Sequence, residues 1–298
     1  MSGPAKAAPG KAVVLGGKTG MLGTALVHVL DKAGWDTVPV GRGDIDVLDS
    51  AELGDFLDRV KPGHVFNAVA YTQVDQAEDE PEKAYAVNKH FPASLGRLAR
   101  DRGIWLVHYS TDFVFDGRCR REPYEPEDKT NPLSVYGKSK DAGDKALLEL
   151  KIPDLTIIRT SWLFGPGRKN FVRTILNLAS EREELRVVHD QEGSPTFTMD
   201  LAANSLALIE KQGRGLFHLA NSGKASWCEL ASEAVSMAGI NCQVQAIPSS
   251  EYPTKAFRPP YSVLSLRKFT EQTGITPRPW LQALRDYVFQ ELNSKEES

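Results

Sequence analysis

Two residues near the middle of the chain are the first that could do chemistry together. Tyr136 and Lys140 stand four apart in "SVYGKSK" (134–140), and on a helix that step stacks two side chains on one face. A phenol beside an ammonium is an unusual choice for a surface, although an exposed helix start with a tolerated aromatic has the same pattern. A second group lies near the N-terminus, in "LGGKTGMLG" (15–23). There Gly17, Gly20 and Gly23 have the spacing that turns a backbone tightly, lets a pyrophosphate approach and lets a helix lie close on a sheet. Phosphates in that turn would face a helix N-terminus, whose free N–H groups and dipole favour negative charge. A third group is Ser110, Thr111 and Asp112, directly after the apolar run "IWLV". These three either cap a turn or sit at the carboxyl end of a strand, where parallel sheets keep their ligands.

The elements that must hold these groups alternate in type. "KAVVLGG" (11–17) reads as a buried strand, "MLGTALVHVLDKAG" (21–34) as an amphipathic helix ending at Gly34, and "DTVPV" (36–40) as a second strand with Pro39 awkward inside it. "DSAELGDFLDRV" is a helix opened by Asp49 or Ser50. "HVFNAVA" and "IWLVHYS" are strands on either side of one long helix, "EKAYAVNKHFPASLGRLARDRG". "SVYGKSKDAGDKALLEL" is the helix that carries Tyr136 and Lys140, and "LTIIRTSWLFG" the strand after it. This rhythm of apolar strands and helices means a parallel sheet covered on both faces. Between the first strand and first helix of such a fold, the glycine turn marks a dinucleotide site.

The end of the second strand bears on which dinucleotide. An acid about 20 residues beyond the turn binds the ribose 2′-hydroxyl of NAD. Here "VGRGD" puts Arg42 at that place, and a guanidinium matches a 2′-phosphate. The expectation is NADP(H), with Asp44 close enough to keep NAD(H) possible.

Composition removes several other classes. Of 298 residues, 36 are basic and 39 acidic, a formal net charge of −3, which argues against nucleic acid or an anionic membrane as partner. No apolar run approaches the ~20 residues needed to span a bilayer. Three cysteines (Cys119, Cys228, Cys242) without CxxC spacing speak against a disulfide framework or structural zinc and for a reducing, cytoplasmic location. No metal is expected. "MSGPAKAAPG" reads as a disordered tail.

With a dinucleotide turn at its start and Tyr-x-x-x-Lys on a later helix, the chain resembles the short-chain dehydrogenase/reductase superfamily. The resemblance implies that Lys140 holds the nicotinamide ribose and that its charge brings the Tyr136 phenol down from about 10 toward working pH. Tyr136 would deliver a proton to a carbonyl oxygen as hydride reaches its carbon. Thr111, or Ser110, would supply the hydroxyl that holds the substrate oxygen, and Asn88 matches a helix asparagine that supports the same constellation. Length and C-terminal segment resemble the extended type, which handles nucleotide sugars. Members that oxidise, eliminate water and re-reduce carry Thr-Asp-Glu at this strand end. Thr111-Asp112-Phe113 lacks that glutamate, which leaves plain carbonyl reduction.

Seven segments, "GKTGMLG", "NAVAYTQVDQAE", "HYSTDFVFDG", "NPLSVYGKSK", "IIRTSWLFG", "VVHDQEGSPT" and "RPPYSVL", look like the dTDP-4-dehydrorhamnose reductase family. That likeness implies a Rossmann-type doubly wound parallel sheet over residues 11–165 after the 1–10 tail. A smaller α/β substrate domain would occupy 166–298, with segments returning to the sheet. It implies NADPH, or NADH, reducing the 4-keto group of dTDP-4-dehydro-L-rhamnose. Gly20, Met21 and Leu22 would meet the pyrophosphate, Asp46 and Val47 the adenine, and Ala70, Tyr71, Thr72 and Tyr109 the ribose and nicotinamide. Thr111, Asp112, Val74 and Trp162 would face the substrate, the indole suiting a flat base or sugar face. Arg258 would meet a pyrophosphate through bidentate contacts, or serve instead as a structural ion-pair partner. Two departures stand out. Phe113 replaces a frequent tyrosine, and Ala25 stands where some members place a glutamate of a metal-bridged dimer, so a homodimer stays open. Two other readings share these residues: an NADP-binding regulatory subunit resembling that of methionine adenosyltransferase, and a reductase of another nucleotide-linked 4-ketosugar.

Overall fold

The computed structural model describes residues 10–118 and 122–296, and only the backbone of 293–296. Most of the expected N-terminal tail, and Cys119, lie outside the described residues. At the centre is a parallel sheet of β1 (Lys11–Leu15), β2 (Asp36–Val40), β3 (His64–Asn67), β4 (Trp105–Thr111), β5 (Leu155–Thr160) and a sixth strand, Gly215–His218. Across the sheet the order is Gly215–His218, β5, β4, β3, β1, β2, and every neighbour pairs in parallel. β4 and β5 are buried at every residue, as strands covered on both faces must be. The chain leaves β1 toward β2 on one side and crosses back to β3 on the other. A crevice therefore opens at the carboxyl ends of β1 and β3, the switch point where such sheets bind ligands.

One face is covered by α1 (Met21–Lys32) and the helix Thr198–Glu210, which share a core of Leu22, Leu26, Leu201 and Leu208. The other is covered by α2 (Ser50–Val60) and two later helices. Asp49, rather than Ser50, caps α2 by accepting from the Ala51 and Glu52 amides at 2.8 and 3.1 Å. Pro39 lies opposite Val14 on the edge strand, where its missing N–H takes nothing from the sheet.

The long helix expected over 82–103 runs without interruption to Arg102 but is not α-helical throughout. After α3 (Val74–Ala77) come α4 (Pro81–Tyr85), one π turn over Ala86–His90, and α5 (Phe91–Arg102). Pro92 is the physical reason: it has no amide to give to the carbonyl four residues back, and the Phe91 amide reaches instead to Ala86. The Asn88 carbonyl is turned toward α6 (Val135–Glu149), where a Cβ on Gly143 would stand 2.1 Å from it.

Beyond β5, the helices Phe171–Ala179, Trp227–Met237 and Trp280–Glu296 pack around Phe164, Leu230, Trp280 and Leu284. The parallel pair Glu184–Val188 and Gln243–Ile247 lies against them. Ser226 opens the middle helix with a capping box to Glu229. Among the described residues no helix is long and apolar enough to cross a membrane.

Gly143→Ala places a methyl group on a backbone oxygen that cannot move aside. Overpacking of this kind costs about 1–3 kcal/mol, read as a lower urea midpoint at unchanged slope. A variant as stable as the parent would mean that α6 and the π turn are not in contact.

Candidate active site

The glycine turn is built by close approach. Gly16 takes φ +85°, its amide donates to the Val40 carbonyl at 2.9 Å, and Gly20 donates back to Gly16 at 2.9 Å. A Cβ on Gly23 would lie 2.1 Å from the Gly16 oxygen, and one on Gly20 2.7 Å from it, so α1 can start directly on the turn only with glycines there. No side chain caps α1 and its first turn holds no acid, which leaves its first amides to an anion. Gly17 is buried. Met21 is half-buried and Leu22 belongs to the core, so each offers a pyrophosphate its main-chain amide.

At the end of β2, Arg42 is exposed and without a hydrogen-bond or ion-pair partner among the described residues. Asp44 is engaged. Lys18 donates to it at 2.5 Å and the Gly41 amide at 2.6 Å, and the hydrogen bond from Lys18 holds its carboxyl below the usual range. The guanidinium is thus open to a phosphate while the nearby acid is occupied. Lys18 was missed in the sequence, although a lysine inside the glycine turn was a visible signal. Asp46 is exposed, with Oδ1 accepting from the Leu48 amide at 2.9 Å, and Val47 packs on the core.

After β3, Ala70 and Tyr71 are half-buried, Thr72 is exposed and Val74 opens α3. Asn88 grips the Tyr71 backbone from both sides: its Oδ1 accepts from the amide at 2.9 Å and its Nδ2 donates to the carbonyl at 3.1 Å. Asn88 Nδ2 also donates to Ser139 Oγ at 3.0 Å, which donates to the Tyr136 carbonyl at 2.8 Å. One fully buried asparagine therefore ties the β3 loop to the tyrosine turn.

Strand alternation sorts the residues of β4. His108 and Ser110 face α6, while the Tyr109 ring faces the core around α1 and Leu201. The Tyr109 carbonyl accepts from Lys140 Nζ at 2.6 Å. Ser134 Oγ caps α6 by accepting from the Gly137 amide at 3.1 Å, and a Cβ on Gly137 would lie 2.3 Å from the Phe113 oxygen. That proximity sets Tyr136 edge-on to Phe113, with ring centroids 5.5 Å apart. Burial pushes the Tyr136 phenol up to about 12, the Thr111 hydroxyl opposes this, and Asp112 and Asp144 add to it.

Lys140 is 1% exposed, and its Nζ donates to the Tyr109 carbonyl at 2.6 Å and lies 3.3 Å from His108 Nε2. Burial brings it down to about 8, with Asp144 opposing. A buried amine must satisfy its own donors, and Lys140 finds its acceptor on β4. Asp144, one turn beyond Lys140, was also missed. It accepts from Ser110 Oγ at 2.9 Å and from Arg159 Nε of β5 at 3.0 Å, so Ser110 is taken and Thr111 is the hydroxyl left beside the phenol.

The groups expected to meet substrate lie across the crevice. Asp112 is buried and its carboxyl accepts from Ser262 Oγ at 2.5 Å and Thr111 Oγ1 at 3.1 Å. It joins the sheet to the C-terminal loop. Trp162 takes φ +46°, lies flat on Trp227 at 3.5 Å and has its ring where a Gly193 Cβ would fall, 2.4 Å away. One face of the indole is taken by Trp227. Arg258 donates to both oxygens of Asp75 at 3.1 and 2.8 Å, the ion-pair alternative. It also lines a cavity of about 750 Å³ with Phe171, Trp227, Tyr252 and Thr254. Among the described residues no cluster of His, Cys, Asp and Glu could hold a metal.

A doubly wound parallel sheet with an uncapped glycine turn at its switch point, and Thr111, Tyr136 and Lys140 at the ends of β4 and α6, defines an extended short-chain dehydrogenase/reductase. Within that class the chain belongs to the RmlD substrate binding domain family, whose pattern matches residues 11–293. It is 41% identical to the spore coat polysaccharide biosynthesis protein SpsK of Bacillus subtilis (strain 168), over 93% of this chain and 96% of that one. It is 39% identical to a dTDP-4-keto-6-deoxy-D-glucose reductase of Streptomyces niveus, over 94% and 97%. The crystal structure of dTDP-4-dehydrorhamnose reductase from Bacillus anthracis str. Ames, in complex with NADP, superposes with TM-score 0.91 at 32% identity, covering 95% and 99%.

Burial pushes Asp112 up to about 7, against about 3.9 in an unfolded chain. A carboxyl raised in this way leaves stability at its fullest below about pH 4 and lowers it as pH rises through about 7. Asp112→Asn should flatten that fall when urea stability is measured across the same range. An unchanged pH slope would show that Asp112 is not the titrating group.

Proposed function

We propose that this chain reduces the 4-keto group of dTDP-4-dehydro-L-rhamnose with NADPH, giving dTDP-L-rhamnose. What supports this is the open Arg42, the uncapped α1 turn and the Thr111–Tyr136 pair, in a chain that belongs to the RmlD family. The turn fits a pyrophosphate, since a Cβ on Gly20 or Gly23 would close it, and Arg42 would hold the 2′-phosphate. NADPH when bound supplies the hydride. Thr111 Oγ would hold the ketone oxygen, and Tyr136, protonated at neutral pH, would give that oxygen its proton as the carbon is reduced. Asp46 and Val47 would border the adenine, Ala70, Tyr71 and Thr72 the ribose, and the cavity beside Trp162 and Arg258 the dTDP-sugar. Phe113 offers no carboxyl for water elimination, which favours simple reduction. We place the reaction in the cytoplasm.

The direct test follows NADPH absorbance with freshly generated dTDP-4-dehydro-L-rhamnose and, separately, with dTDP-4-dehydro-6-deoxy-D-glucose. Turnover of the first alone supports the reading, and turnover of the second alone replaces the sugar. Tight NADP binding with no turnover of either would favour a regulatory subunit. Tyr136→Phe should lose about 10²–10⁴-fold in kcat with NADPH affinity retained, and full activity would refute the proton-donor role. Arg42→Asp should move preference from NADPH toward NADH. Equal use of both cofactors before and after would show that Arg42 does not read the phosphate.

A further inference from the structure

Between the strand Gln243–Ile247 and Ser262 the chain crosses to the side of the crevice formed by α3. Both ends of this crossing are tied down. Ser249 gives its amide and hydroxyl to Asp190, Glu251 pairs with Arg186, and Ser262 donates to Asp112. The middle is held differently. Among the described residues, 253–259 make no main-chain hydrogen bond to another main-chain group, and 252–260 belong to no hydrophobic cluster. What holds the segment is ionic. Lys255 pairs with Asp79, the Ala256 amide donates to Asp75 Oδ1 at 2.9 Å, and Arg258 donates to both oxygens of Asp75. The only further partner is Arg118, whose guanidinium lies 5.1 Å from the centroid of the half-exposed Phe257 ring.

The same segment is a wall of the cavity of about 750 Å³. Tyr252, Thr254 and Arg258 line it from this side, and Phe171 and Trp227 from the helices. The post to which the segment is tied is firm, since Glu78 accepts from the Val135 amide at 2.8 Å and Asn88 grips Tyr71 just before α3. The tie itself is not. The Lys255 and Asp79 side chains are 52% and 59% exposed, so water and salt screen their attraction. A stretch without ladder bonds or core contacts is the part of a wall that opens at least cost. We propose that residues 252–258 are an ionic strap, latched in this structure to Asp75 and Asp79, which releases from α3 to admit the nucleotide sugar and re-latches over it. The inference rests on the reading of that cavity as the dTDP-sugar site.

Lys255→Gln separates a gate from plain attraction. Loss of a cation slows the arrival of an anion if charge alone matters, whereas a loosened strap speeds it. With dTDP as the probe and tryptophan fluorescence as the signal, stopped-flow association should be roughly two- to fivefold faster in Lys255→Gln. Slower or unchanged association overturns the proposal. Hydrogen exchange on the ligand-free protein gives a second reading: the Ala256 amide should exchange faster in the variant by a similar factor, with β4 amides unchanged. An Ala256 amide as protected as in the parent also overturns it. The two levels of the argument fail differently. Binding of dTDP at the parent's rate sinks the gate and leaves the reductase reading intact, and absence of dTDP binding in both proteins sinks the reading of the cavity and the gate with it.

Discussion

An amine cannot be buried without acceptors for its protons, and the burial of Lys140 organises much of this molecule. Its side chain runs from α6 to the carbonyl of Tyr109, which requires α6 to lie hard against the end of β4. Gly137 and Gly143 permit that approach, one under the Phe113 carbonyl and the other under that of Asn88. The same seating puts Tyr136 beside Thr111 and Phe113. The functional constellation and the packing of the sheet are, in this region, one structure.

Asn88 is the second organiser. A single side chain with three hydrogen bonds joins the β3 loop to Ser139, and it sits at the centre of the π turn, two residues from either end. A proline costly to an ordinary helix interior here turns the Asn88 carbonyl toward Gly143. Around these groups the charges pair in layers. Asp144 takes Arg159, Asp75 takes Arg258 and Asp44 takes Lys18, which leaves Arg42 as an exposed guanidinium at the end of β2.

Much of the fold was legible because its signals are local. Apolar runs of four or five residues marked β1 to β5, helix ends carried Asp49, Ser226 and Gly34, and the glycines of the first turn showed themselves by spacing alone. The long helix was legible too, but not its internal π turn, since periodicity is blind to one inserted residue before Pro92. Within the site, residue types were legible but directions were not. Nothing in the sequence showed that the Tyr109 ring and the Asp112 carboxyl are buried or that Trp227 stacks on the Trp162 indole. Asp144 carried no motif, and Lys18 and His108, although inside quoted segments, were passed over.

What the sequence determined by itself was the parallel sheet, the dinucleotide turn and the presence of Thr111, Tyr136 and Lys140, because each depends on neighbours within a few residues. Only the tertiary structure decided where Lys140 points. Its partners, His108 and Tyr109, come from a strand about 30 residues earlier, and the surroundings of a buried amine are set by what lies near it in space, not by the tyrosine one turn away.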